Sequence, residues 1–120
     1  MQVSSNNINL EVQEFGHKDN IPLIMISGFG SQLCDWPINL INKIVEREFR
    51  VIIFDNRDVG LSHKFEDNKI DDMNLIWKYS FSREKLSKDV EKPKVPYSLK
   101  DMAEDCINIL SELSIKKAHI

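Results

Sequence analysis

Apolar and polar residues alternate with one period near the start of the chain and with another near its end, and the change of period separates the elements. Ile8, Leu10 and Val12 alternate with polar neighbours as far as Phe15, the period of a half-buried strand, and residues 16–20 supply a turn. This opening strand is expected to pair antiparallel. Pro22-Leu23-Ile24-Met25-Ile26-Ser27 is instead a continuous apolar run closed by Gly28, the pattern of a strand covered on both faces in a parallel sheet. Pro22, which has no N–H to donate, can only open it. Ile38, Ile41, Ile44 and Val45 recur at helical spacing and predict a helix over 37–47, with Asp35 as its N-cap and Pro37 in its first turn. Arg50-Val51-Ile52-Ile53-Phe54-Asp55 is a second run of the doubly covered kind, so strand, helix and strand make one right-handed βαβ unit.

Residues 62–97 hold no clear period and read as an elaborated connection, charged, with Trp77, Tyr79 and Phe81 inside it. Beyond it Leu99, Met102, Ala103, Cys106, Ile109, Leu110 and Leu113 form a stripe of period 3.6. Ser98 with Asp101 resembles a capping box, and Tyr97 with Met102 a hydrophobic staple, at the start of that helix. Lys116-Lys117-Ala118-His119-Ile120 reads as the opening of a third parallel strand. The predicted class is α/β, a mostly parallel sheet with an antiparallel N-terminal strand, in one domain over 1–120. Two helices leave much of such a sheet uncovered, and the last strand would present open backbone groups, so the architecture is expected to be unfinished.

Composition narrows the class further. With 42% hydrophobic and 29% charged residues the chain is globular in type rather than disordered. A net charge of -3, with no basic stripe, gives nucleic acid no footing. No apolar stretch nears the roughly 18 residues of a membrane span, and the first residues carry no basic patch before an apolar run; a cytoplasmic location is expected. Cys34 and Cys106 form no CxxC pair and are expected to be reduced, buried and inert.

Two loops could carry chemistry. Ser27-Gly28-Phe29-Gly30-Ser31-Gln32 follows a buried strand, and its glycines let backbone N–H groups turn toward a ligand or a developing negative charge. A dinucleotide loop is one reading, but Leu33 stands where GxGxxG needs glycine, and Asp55 matches a ribose-binding acid only loosely. Asp55-Asn56-Arg57-Asp58-Val59-Gly60-Leu61-Ser62 follows the next strand and, by spacing alone, is a charged turn. His17 and His63 lie in polar loops with no serine or cysteine set beside them and read as solvated, while His119 sits in the last strand. Asp71 and Asp72 lack further spaced ligands and read as surface charge; neither a metal nor a cofactor is expected. Trp77, Tyr79 and Phe81 could line a pocket or pack the connection.

Taken together, the small-Gly-x-Gly loop, the Trp36-Pro37 helix start and DNRDVGLS after the next strand resemble the α/β-hydrolase superfamily, more narrowly its esterase-like branch carrying that string. The resemblance runs from about Ile8 to Ile120 and includes Pro96-Tyr97-Ser98-Leu99 and Lys117-Ala118-His119-Ile120. It implies an N-terminal portion of that fold, whose strand at Ala118 would run into a G-x-S-x-G nucleophile elbow beyond Ile120. The glycines are Gly16, Gly28, Gly30 and Gly60, and no pair of them flanks a serine in that motif. In this family acid and base follow the serine along the chain, so all three triad members would lie outside these residues, and the chain alone is expected to be inactive.

One catalytic part carries over: the backbone N–H of Phe29 matches the family's first oxyanion-hole donor, its partner following the absent nucleophile. Ser27 stands where the family often has histidine. Asp55, Arg57 and Gly60 match positions that shape the loop. An ester-type small molecule would be the substrate of the complete enzyme only. A second polypeptide completing the sheet, or an independent nucleotide- or protein-binding βαβ module, are the rival readings.

Overall fold

The structure is a computed structural model that describes residues 1–65 and 95–120. Its contacts divide the chain into two compact units, Met1–Lys64 with Leu99–Ile120, and Phe65–Ser98. The segment expected as a connection falls almost wholly in the second unit. In that unit the rings of Phe65 and Tyr97 pack 5.3 Å apart. Asp71, Asp72, Trp77, Tyr79 and Phe81 lie outside the described residues.

The first unit is built on a four-stranded mixed sheet of order β1-β2-β4-β3, with β1 at Gln2–Ser5, β2 at Ile8–Phe15, β3 at Ile21–Met25 and β4 at Phe49–Phe54. β2 pairs antiparallel with both β1 and β4, and β3 pairs parallel with β4. The antiparallel part is therefore one strand larger than expected. Gln2-Val3-Ser4-Ser5 holds a single apolar residue and gives no readable alternation. What forms β1 is its turn: Asn6 and Asn7 both adopt positive φ, 44° and 67°, the requirement of the tight hairpin turn whose twist matches the strands. Asparagine tolerates that region better than most residues.

Helix α1, Ile38–Val45, joins β3 to β4 and makes the expected βαβ unit, while α2 spans Leu99–Glu112. The two helices cover opposite faces. Directly paired residues share a face, so Val51 and Ile53 of β4 lie with Phe15 of β2 and Met25 of β3, and these pack with Ile41, Ile44 and Val45 of α1. The alternate set, Val3, Ile8, Leu10, Val12, Ile24, Ile52 and Phe54, is buried on the other face. There Ser5 of β1 bonds to Asp105 of α2, which fixes the helix to that side. Ile109 of α2 is 0% exposed; burying such a side chain contributes about 1.5–3 kcal/mol.

Several expectations need correction. β3 is not covered on both faces: among its residues only Ile24 is buried, and Ile21 is 51% exposed. Beyond β3 the described neighbour is one parallel bridge, Leu23 to His119, held by His119 N–H to the Pro22 carbonyl at 2.8 Å and Ile24 N–H to the His119 carbonyl at 2.9 Å. The expected third parallel strand is thus this one bridge. Asp35 does not cap α1; Pro37 occupies the N-cap position, and Asp35 ends a 3-10 turn, Leu33–Asp35, its carboxylate accepting the Gln32 N–H at 2.8 Å. The α2 stripe is buried only in part: Leu99 is 83% exposed and Ala103 is exposed, because the covered face runs through Asp105, Cys106 and Ile109. The helix closes with Ser114 at φ 57°, the Ile115 N–H reaching back to Leu110 and that of Ser114 to Ser111, a left-handed cap without glycine.

Candidate functional site

Both loops singled out in the sequence leave the carboxyl ends of the parallel pair, the end at which α/β sheets bind ligands. In the loop after β3, the Ser31 N–H donates to the Gly28 carbonyl at 3.2 Å, closing a turn around Phe29 and Gly30. Gly30 sits at φ +74°, which its missing Cβ makes cheap. Phe29 holds its side chain fully in solvent. The N–H groups of Gly28, Phe29 and Gly30 donate to no acceptor among the described residues. No described residue lies within 4 Å of where a Cβ on Gly28 or Gly30 would be, so the loop is uncrowded on that side of both glycines. A cavity of about 250 Å³ lies against the loop, lined by Ser27, Gly28, Ser31, Asp35, Trp36 and Pro37. The Trp36 indole N–H is buried without a partner among the described residues.

The second loop holds the first in place. One carboxylate oxygen of Asp55 accepts the Leu33 N–H at 2.7 Å and the other accepts the Leu61 N–H at 2.9 Å, so this buried side chain ties the end of the first loop to the second. Both oxygens are thereby engaged, which argues against a ribose-binding role. Gly60 lets the turn close on Asp55: a Cβ there would come within 2.0 Å of the carboxylate, and its φ is +51°. The Asn56 side-chain amide donates to the Ser27 carbonyl at 3.1 Å. Ser62 donates to the Asp55 carbonyl at 2.6 Å and accepts the Glu11 N–H at 2.9 Å, anchoring the far end of the loop to β2.

Arg57 extends this anchorage across the sheet. Its Nε and Nη2 each donate at 2.8 Å to a different oxygen of Asp105, and the pair is buried. Ser5 donates to the same carboxylate at 2.6 Å while accepting from Asn108 at 2.9 Å. Asp55, Arg57 and Gly60 therefore shape the loop, as the resemblance implied. Asp105, Ser5 and Asn108 were missed. The signal for Asp105 was present: it stands three residues after Met102 and four before Ile109, a charged residue on an apolar face, which implies a buried cation partner.

Of the other candidates, His63 borders the second loop, its carbonyl accepting the Asp58 N–H at 2.9 Å. His17 is exposed, its ring nitrogen 3.4 Å from the Asp19 carboxylate. His63 is exposed and His119 stacks edge-on against Phe49, ring centres 6.1 Å apart. Cys34 is exposed, contrary to expectation, in the 3-10 turn. Cys106 is buried, and desolvation, with the Asp105 charge beside it, pushes its thiol above the ordinary cysteine value. No helix among the described residues is long and apolar enough to cross a membrane.

No protein-family model and no curated protein matches the chain. Solved structures do. Epoxide hydrolase A from Mycobacterium thermoresistibile superposes with a TM-score of 0.68 at 17% identity, over 98% of this chain and 28% of that one. The enol-lactonase from Burkholderia xenovorans LB400 gives 0.66 at 18% identity, over 98% and 35% of the two chains. The fold is that of an α/β-hydrolase. An esterase from Exiguobacterium antarcticum agrees, at a TM-score of 0.64 and 16% identity, over 98% of this chain and 33% of that one. The chain thus spans about a third of the length of these α/β-hydrolases, as an N-terminal portion of their fold would.

Proposed function

We propose that the chain forms the oxyanion-loop portion of an esterase-like α/β-hydrolase that cleaves an ester or related acyl bond, with the Phe29 N–H as one donor to the tetrahedral oxyanion. The observation that carries this reading is the run of N–H groups at Gly28, Phe29 and Gly30 that no acceptor among the described residues engages, just beyond the carboxyl end of β3. Backbone donors fixed before charge develops are worth far more than donors that must reorient, because no reorganisation is needed at the moment of reaction. The nucleophile, base and acid belong to the remaining two thirds of the fold. The 120 residues by themselves should turn nothing over, and the working enzyme is read as cytoplasmic and independent of metal or cofactor.

The intact mass of the native product, with p-nitrophenyl ester hydrolysis by that product and by the 120-residue chain, tests this. A heavier native species that hydrolyses esters and is inactivated by a serine-directed fluorophosphonate is expected, with no turnover by the chain alone. A native 14 kDa species that unfolds cooperatively in urea and has no ester hydrolysis in any complex would overturn it.

A further inference from the structure

The first loop is held at its far end by Asp55 and at its near end by a different residue, and the near end decides which way the amides face. In a trans peptide unit the carbonyl and the N–H point in opposite directions, and no cis peptide bond occurs among the described residues. The Ser27 carbonyl is drawn inward by the Asn56 side chain, which is buried with it. The Gly28 N–H of the same unit must then point away from Asn56. The next unit follows: its Gly28 carbonyl is turned to Ser31, so the Phe29 N–H points away from Ser31.

We propose that Asn56 is the positioning residue of the oxyanion loop, its amide holding the Ser27 carbonyl inward so that N–H groups rather than a carbonyl oxygen face the reacting centre. The proposal rests on the α/β-hydrolase reading above. Without that hydrogen bond the 27–28 unit is free to turn over, since its glycine tolerates either sense and no described residue crowds the side where a Cβ would be. A flipped unit would set a partial negative charge where the oxyanion forms. Asn56 thus acts through Ser27 and touches no substrate. Nothing in residue type announced this role; asparagine after a strand reads as ordinary turn chemistry.

The test uses the full 120-residue chain labelled with ¹⁵N, and the variants Asn56→Asp and Asn56→Ala, which both remove the donor but differ in charge. Residual dipolar couplings read the directions of the Gly28 and Phe29 N–H vectors, and titration with dimethyl phosphate, a tetrahedral monoanion, reads their ability to receive charge. Unchanged amide shifts in α2 establish that a variant is folded. The expected result is reoriented vectors in the variants and dimethyl phosphate affinity at least tenfold weaker than in the wild type. Vectors that stay put in a folded variant overturn the proposal and leave the hydrolase reading intact. Reoriented vectors in a chain whose wild type shows no shift at Phe29 with dimethyl phosphate sink the oxyanion role itself. If neither variant folds, the wild-type Asn56 side-chain amide decides: it must exchange slowly with solvent, and rapid exchange overturns the proposal.

Discussion

Arg57 and Asp105 meet in a two-point contact across the core, each carboxylate oxygen taking one guanidinium N–H at 2.8 Å. The contact joins the loop after β4 to α2, and through Ser5 it reaches β1 as well. Geometry of this kind binds more firmly than a single-point ion pair, but removing both ions from water costs much of what their attraction returns.

The consequence is asymmetric. Arg57→Met should cost about 3–5 kcal/mol, because it leaves the buried Asp105 carboxylate without its cation. The double variant Arg57→Met with Asp105→Leu should cost less than Arg57→Met alone. Urea unfolding of the wild type, the two single variants and the double variant checks this; a double variant as unstable as the sum of both singles would show that the two side chains are not coupled and would overturn it.

Gly60 carries a separate prediction. Gly60→Ala puts a Cβ into the Asp55 carboxylate and a side chain at positive φ, the latter alone costing roughly 1–2 kcal/mol. The thermal midpoint should fall, and the Leu33 and Leu61 amides, which Asp55 holds, should exchange faster with solvent. Normal protection at those two amides would show that the loop accommodates the methyl group without releasing Asp55.

The two thiols should differ in reactivity. A disulfide reagent at neutral pH should label exposed Cys34 rapidly and Cys106 only at the rate of unfolding, since the thiolate is the reactive form and burial disfavours it. The raised thiol value also sets a sign. Cys106 keeps its proton in the folded chain at pH values where the unfolded chain has lost it, so its contribution is complete below the ordinary cysteine value and is lost as pH rises beyond it. Stability measured across that range should therefore fall with pH, and should fall less steeply in Cys106→Ala.

The β1–β2 hairpin predicts a gain. Asn7 sits at φ 67°, where glycine is unstrained, so Asn7→Gly should stabilise the chain by a few tenths to about 1 kcal/mol. Asn6→Val, which places a β-branched residue at positive φ, should destabilise it. Equal urea midpoints for the two variants would mean that the turn does not limit the hairpin.

What the sequence revealed and what it hid divide along physical lines. β2, β4 and both helices were legible because a buried face imposes a period on a whole segment, and one glance at Ile8, Leu10 and Val12 finds it. β1 was hidden because its one core side chain, Val3, cannot make a period, and because Asn6-Asn7 lacks the glycine that marks most such turns. The covering of β3 was overestimated because an apolar run records what a strand is suited to face, whether or not that neighbour lies among these residues. At the site, the positions of Phe29, Asp55, Arg57 and Gly60 could be inferred from the resemblance. The roles of Asn56 and Asp105 depend on contacts with Ser27 and with Ser5 that no local pattern encodes.

Ser5 and Asp105 are separated by 100 positions, yet their hydrogen bond fastens the helix that covers the first strand. During synthesis the hairpin leaves the ribosome long before that helix exists. At roughly 5–20 residues per second the interval is about 5–20 s, during which Val3, Ile8 and Leu10 present a naked apolar surface. The completion of this face is therefore timed by translation itself.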